Sequence, residues 1–396
     1  MPHRGGSSIL RPMKMPSARR TREFCGRSRL VVIVAVAWLA ACAMAPSPRV
    51  PPHVRLSAAE GRALVSRHLP AGVADRNGWA TDIYAAIAAL DLAPTAENVC
   101  AAIAIAEQES GMRVDPPVPG LARIARREIE ARRERAGVPE LVLEAALALP
   151  SSNGKRYGER LDAVTTEGQL SALYDDFIGR VPLGRSFFAN RNPVRTGGPM
   201  QVAVTFAEAQ VEAAPYPYPM TGSVRDEVFS RRGGLYFGIA HLLAYPASYD
   251  RYLYRFADYN AGRYASRNAA FQHAVADVSG IPLTSDGDLL RYEAGKPASE
   301  PGNTELALRV LSARIGSSNA EIRHDLELAT GEAFERSPLY ARVFALADAA
   351  AGKRVPRAVL PTIVLSSPKI THRLTTGGFA HRVDQRFHDC LGRNAR

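Results

Sequence analysis

The chain has too few cysteines for a disulfide framework, four in 396 residues. None of these stands at zinc spacing from another, and its nine scattered histidines include no His-Glu-x-x-His string. A metal centre is therefore not expected, and nothing calls for another cofactor. Period-two alternation is nearly absent, occurring only over Thr362 to Leu365, which excludes a sandwich or barrel. No apolar run reaches the ~20 residues that span a bilayer. The longest, Leu30 to Ala41, is far shorter. What remains is helical periodicity, and the fold class expected is mainly α.

That short apolar run carries its own meaning. Arg27 and Arg29 precede it and it ends in Leu39-Ala40-Ala41-Cys42, the charged flank, apolar stretch and small residues of an export signal. The cysteine placement marks a lipoprotein. Residues 1–41 are expected to be removed, leaving Cys42 acylated in a bacterial membrane. Ala43-Met44 behind it lacks the aspartate of inner-membrane retention, so the expected location is the outer membrane, facing the periplasm. The formal charge of +11 suggests nucleic acid at first sight. Eight of the basic residues sit in the leader, however, and the mature chain is left at +4. A nucleic-acid partner is not expected, and the remaining bias suits an anionic polymer.

Residues 42–56 hold four prolines and read as a semi-rigid tether. Ser57 and Glu60 form a capping box that opens a helix to about Leu69. A second helix is expected from about Trp79 to Leu90, and a third from Thr95 to Gly111. Residues 120–192 are helical by pattern, with the Arg and Glu alternation of Arg123 to Arg135 forming a solvated face. Ala214 to Met220 alternates proline with tyrosine and must be an extended loop, whose Tyr216 and Tyr218 either pack locally or stack on sugar rings. Further helices are expected at Glu305 to Ile315, after the cap at Ser318 to Glu321, and at Leu339 to Ala351, followed by a less regular stretch to Cys390. Cys100 and Cys390 are the pair left for the folded part, a candidate disulfide in an oxidising compartment.

Three strings carry the chemistry: Ala106-Glu107-Gln108-Glu109-Ser110-Gly111, Gly198-Pro199-Met200-Gln201-Val202 and Ala257-Asp258-Tyr259-Asn260-Ala261-Gly262. On a helix Glu109 lies about 20° from Ala102 and about 40° from Ile105, with Glu107 about 160° away. Glu109 thus shares the apolar face while Glu107 is expected to face water. A carboxyl on an apolar wall at a helix C-terminus has a raised pKa, as a general acid requires. Gly197 and Gly198 allow close backbone approach to a ligand, where Gln201 can donate and accept.

In this order the strings resemble those of lytic transglycosylases and goose-type lysozymes. The resemblance covers roughly Thr95 to Gln272. It implies a lysozyme-like helical domain over 57–280, with a helical subdomain inserted at about 120–192 and a helical C-terminal region over 281–396. It further implies Glu109 as the sole catalytic acid and base, Ser110 and Gln201 orienting substrate, and Tyr259 with Asn260 flanking the cleft. The partner is then the peptidoglycan glycan strand, cut after N-acetylmuramic acid with closure of a 1,6-anhydro ring, unlike the two-carboxylate plan of most glycosidases. Two departures stand out: the family's second string follows the first closely, whereas the inserted segment intervenes here, and Asp258 replaces a small residue. Asp258 is thus the candidate second carboxylate of a hydrolytic, lysozyme-type alternative. A non-catalytic murein-binding or envelope-scaffold lipoprotein is the other.

Overall fold

The computed structural model describes residues 56–180, 191–220, 222–293, 295–365 and 374–393. The leader, the acylation site Cys42 and nearly all of the tether lie outside them. The fold is mainly α, 63% helix and 5% strand.

The N-terminal helices begin where the caps direct. Ser57 accepts from the backbone of Glu60, whose carboxylate returns the bond, and starts α1 (Ala58–His68). α2 (Arg76–Ala89) starts three residues before Trp79 because Asp75, itself left-handed, accepts from Gly78. α3 (Ala96–Ser110) is capped by Thr95 and stopped by left-handed Gly111. It is buried on every side: Val99 through Ala106 are all solvent-inaccessible. Around it pack α1, α2, α10 (Arg231–Leu243), and α17 (Thr376–Gly392) in a first core that includes Trp79, Ile103, Phe237 and Phe387.

Between α3 and α10 the chain forms α4 (Leu121–Arg135), α5 (Glu140–Ala148), α6 (Tyr157–Asp162) and α7 (Glu167–Arg180). These have a small core of their own around Leu121, Tyr157, Leu161 and Leu173. The basic and acidic face of α4 is solvated, with Glu128 paired to Arg132 at 2.8 Å. A two-residue hairpin, β1 (Thr196–Gly197) with β2 (Val202–Ala203), holds the Gly-Pro-Met-Gln turn, and α8 (Val204–Ala213) and α9 (Val224–Val228) follow. In the Pro-Tyr loop, Tyr216 stacks on Phe237 and donates to Glu227 at 2.7 Å, so local packing accounts for it.

α11 (Tyr252–Ala261) and α12 (Ala265–Ser279) lead into a second lobe with α13 (Asn303–Val310), α14 (Ser312–Ile315), α15 (Asn319–Glu327) and α16 (Pro338–Ala351) around Phe271, Phe334 and Phe344. The helix expected over Glu305 to Ile315 is thus two. Val364–Leu365 pairs with Leu374–Thr375.

Residues 352–363 are irregular as expected, but the part of the stretch that reaches Cys390 is a helix. It is α17, and it returns to the first core rather than extending the second lobe. Phe379, Ala380, Val383, Phe387 and Cys390 recur at helical spacing and are all buried there. Residue 280 is consequently no boundary: α12 feeds the second core and α17 closes the first. A disulfide joins Cys390 on α17 to Cys100 on α3, with the Cα atoms 5.6 Å apart.

Candidate active site

The first string ends α3 as it enters the protein surface. Glu109 is half-buried and makes no hydrogen bond or ion pair among the described residues. Burial pushes its pKa up to about 7, while the guanidinium of Arg382 on α17 pulls the other way. A neutral carboxylic acid is therefore populated near neutrality, as proton donation to an ether oxygen requires.

Glu107 does not face water as expected. It is paired with Arg393 at 3.0 Å, its side chain only 15% exposed, because α17 covers that side of α3. Gln108 accepts from Arg386 of the same helix. Arg382 and Arg386 of α17, with Arg393 just past its end, thus stand opposite three successive polar residues of α3. Two make direct contacts. The third, Arg382, acts on Glu109 through its charge alone.

Ser110 is absorbed by the helix end. It donates to the carbonyl of Ala106 at 2.8 Å and accepts the Arg113 amide at 3.2 Å, which leaves its hydroxyl proton committed and argues against the expected role in orienting substrate.

The second string sits against α10 because that helix has no side chains where the loop crosses. A Cβ on Gly234 would lie 2.5 Å from Pro199, and one on Gly238 would lie 2.5 Å from the Met200 sulfur. Gln201 adopts the left-handed region at φ 51°, a costly conformation for a non-glycine residue. Its backbone amide and its side-chain amide both reach the Gly198 carbonyl, at 3.1 and 3.2 Å.

The third string meets the second. Tyr259 donates its hydroxyl to the Met200 carbonyl at 2.7 Å. Its phenol is held well above the ordinary range, first by burial and then by the charge of Glu109. Glu109, Met200-Gln201 and Tyr259 therefore share one neighbourhood. Asn260 is beside them on α11, its side-chain oxygen accepting from buried Thr376 at the start of α17 at 2.8 Å. His241 on α10 packs against Tyr259 and Phe206. Burial, with Arg263 adding repulsion, pushes it down to about 4, so the imidazole is neutral.

Asp258 does not join this group. It is 1% exposed and turns away from Tyr259, into the start of α12. There it accepts from the backbone amides of Tyr264 at 2.9 Å and Ser266 at 2.7 Å, and from the hydroxyls of Tyr249 at 2.7 Å and Tyr245 at 3.1 Å. Burial pushes its pKa above the usual carboxylate value against the pull of these bonds. A carboxylate with four donors and no solvent cannot activate a water, which corrects the expectation of a second carboxylate in the cleft. Asp258→Asn should instead cost stability, ~2–3 kcal/mol for lost bonds to a buried charge, read as a lowered midpoint in chemical denaturation. Loss of function without loss of stability would contradict this assignment.

The residues that the sequence did not offer are Arg382, Thr376 and His241. The first two lie on α17. The spacing of Phe379, Val383, Phe387 and Cys390 was the signal that would have placed them.

Residues 72–393 match the family model DUF1615, described as a protein of unknown function. The chain is similar to the uncharacterized protein YaiW of Escherichia coli strain K12, with 51% identity over 360 residues, which are 91% of this chain and 96% of that protein. No solved structure matches it.

Proposed function

Since the chain belongs to the DUF1615 family, whose description leaves the chemistry to be read from the residues, we propose that it cleaves peptidoglycan glycan strands with Glu109 as single acid and base. The observation that carries this reading is a carboxyl group with its pKa raised to about 7 at the end of a buried helix, beside Tyr259 and the Met200-Gln201 turn. In the cleavage, Glu109 gives its proton to the glycosidic oxygen linking N-acetylmuramic acid to N-acetylglucosamine as the C1–O bond breaks. The muramic 6-hydroxyl then bonds to C1, and the Glu109 carboxylate takes up the hydroxyl proton. The products are a 1,6-anhydro end and a free 4-hydroxyl. Tyr259 and Asn260 flank the site, and Gln201 shapes the loop that carries Met200. The lysozyme-like character of the helical fold is part of this proposal.

A non-catalytic murein-binding lipoprotein is the second reading. The internal commitment of Ser110 and the contact of Asn260 with α17 favour it, since both withdraw groups from a substrate. Incubating purified murein with the protein and weighing the products by mass spectrometry separates the two. Anhydro-muropeptides are expected; intact sacculi that still bind the protein would establish the scaffold instead. Products with reducing ends would mean hydrolysis.

The proposed location is the periplasmic face of the outer membrane, anchored through acylated Cys42. Replacing that residue, Cys42→Ala, is expected to move the protein from the membrane to the soluble fraction. Unchanged membrane fractionation would refute the anchor.

A further inference from the structure

The disulfide has a third side chain beside it. His68, the last residue of α1, is 1% exposed, and Cys100 and Cys390 are fully buried. A ring nitrogen of His68 and the two sulfurs all lie within 4.8 Å of one another. α1, α3 and α17 thus each deliver one nitrogen or sulfur ligand to a single buried point. No spacing in the sequence relates the three, because α17 is brought to the other two from the far end of the chain.

The imidazole is satisfied on one side only. Nδ1 meets the Cys390 carbonyl at 3.1 Å, and since a carbonyl can only accept, the neutral ring carries its proton there. Nε2 is then a bare acceptor. It is buried with no hydrogen-bond partner among the described residues, which costs free energy as long as nothing meets its lone pair. An Nδ1–H held by a backbone carbonyl, with Nε2 left open, is the way a protein fixes the tautomer and orientation of a metal-ligating histidine. The backbone beside the ring is fixed as well, since the His68 carbonyl accepts from Arg393 at 2.8 Å.

The oxidised pair cannot use this arrangement, because the thiolate is the metal ligand. Reduction changes it. A dithiol reductant supplies two electrons and two protons, the bond between the sulfurs breaks, both become thiols, and the reductant closes its own disulfide. We propose that the reduced Cys100 and Cys390 then form, with His68, a buried site for a thiophilic d10 cation, Zn(II) or Cu(I), which displaces the two thiol protons to solvent. Two thiolates and an imidazole are the ligand set these ions take. Bonds of ~2.3 Å to sulfur and ~2.0 Å to nitrogen require the sulfurs to separate and the ring to approach, movements that side-chain rotation supplies. The junction of α1, α3 and α17 thus has two alternative closures, a covalent bond under oxidising conditions and a metal under reducing ones, and reoxidation of the pair expels the ion. None of the residues around Glu109 takes part, so the site is independent of the glycan-cleaving reading.

The test uses the full chain with Cys25→Ser and Cys42→Ala, which leaves Cys100 and Cys390 as its cysteines. The protein is reduced with a phosphine without oxygen and titrated with Zn(II) or Cu(I) against a chromophoric chelator. One metal per chain is expected in the reduced protein and none in the oxidised one, and loading should raise the thermal midpoint of the reduced form by several degrees. Direct competition between the two cations identifies which one the site prefers. X-ray absorption of the loaded protein should show two sulfurs and one imidazole nitrogen around the metal. His68→Ala should weaken binding by tenfold or more and remove the imidazole signal. No binding by the reduced protein would overturn the proposal, as would equal binding by the oxidised form. Undiminished affinity in His68→Ala, or no imidazole signal from the protein that keeps His68, would overturn it too.

Discussion

Glu109→Gln is expected to lower murein cleavage by the ~10²–10⁴ that a lost general acid and base costs, or more. The amide keeps the shape and burial of the side chain but can neither give nor take the proton. Folding is expected to survive, because Glu109 makes no bond that the amide would break. Glu107→Gln is the matched control: it weakens an ion pair with Arg393 and leaves the Glu109 carboxyl in place. The pH profile follows from the same carboxyl. Its acid form does the work, so cleavage should decline as pH rises through about 7, the value to which burial brings it. Arg382 holds that value down. Arg382→Leu should therefore raise the pKa and move the alkaline limb to higher pH, without the collapse in rate that Glu109→Gln produces. Cleavage by the Glu109→Gln protein at the unaltered rate would place the acid elsewhere. A limb that moves down in Arg382→Leu would show that the two charges do not meet.

The second large effect is expected from opening the disulfide. Cys100 and Cys390 are 290 positions apart, and closing so long a loop stabilises by as much as ~5 kcal/mol in the chain-entropy account, commonly less in practice. Replacing both by serine should lower the thermal midpoint by several degrees or more. It also places two hydroxyls where solvent does not reach, since both cysteines are fully buried. The wild-type protein should lose the part due to the bond in reductant, and reductant should have no effect on the double variant. Identical melting of the two proteins under oxidising conditions would show that the bond is not formed in solution.

Much of the fold is legible in local chemistry. The caps at Ser57, Thr95 and Ser318 lie where side chains satisfy backbone amides within three residues, and Gly111 stops its helix by a left-handed backbone; such signals are complete in a short window of sequence. Glu109 was legible for the same reason, from its angle to Ala102 and Ile105. What was not legible depends on contacts across the whole chain. Glu107 follows the helical wheel outward, yet α17 arrives there from nearly three hundred residues away and supplies Arg393. Asp258 stands next to Tyr259 in sequence, but successive residues on a helix point about 100° apart. One reaches the Met200 carbonyl and the other the start of α12. Ser110 is a third case: a hydroxyl at a helix end has carbonyls within reach before any substrate. The three motif strings meet in the fold, while the direction of each side chain was set by tertiary packing.

α17 is joined to α3 by a disulfide across 290 positions of sequence, and it completes the surroundings of that helix. Thr376, Arg382 and Cys390 each complete something begun in the first third or the middle of the chain. Without α17 one apolar side of α3 would be uncovered, and Glu109 would lose part of the burial that raises its pKa. A chain cut short before residue 376 retains every one of the three motif strings and still lacks the environment that makes Glu109 an acid. Under the proposed reading, a chain lacking α17 is therefore expected to cleave no murein although it keeps all three strings.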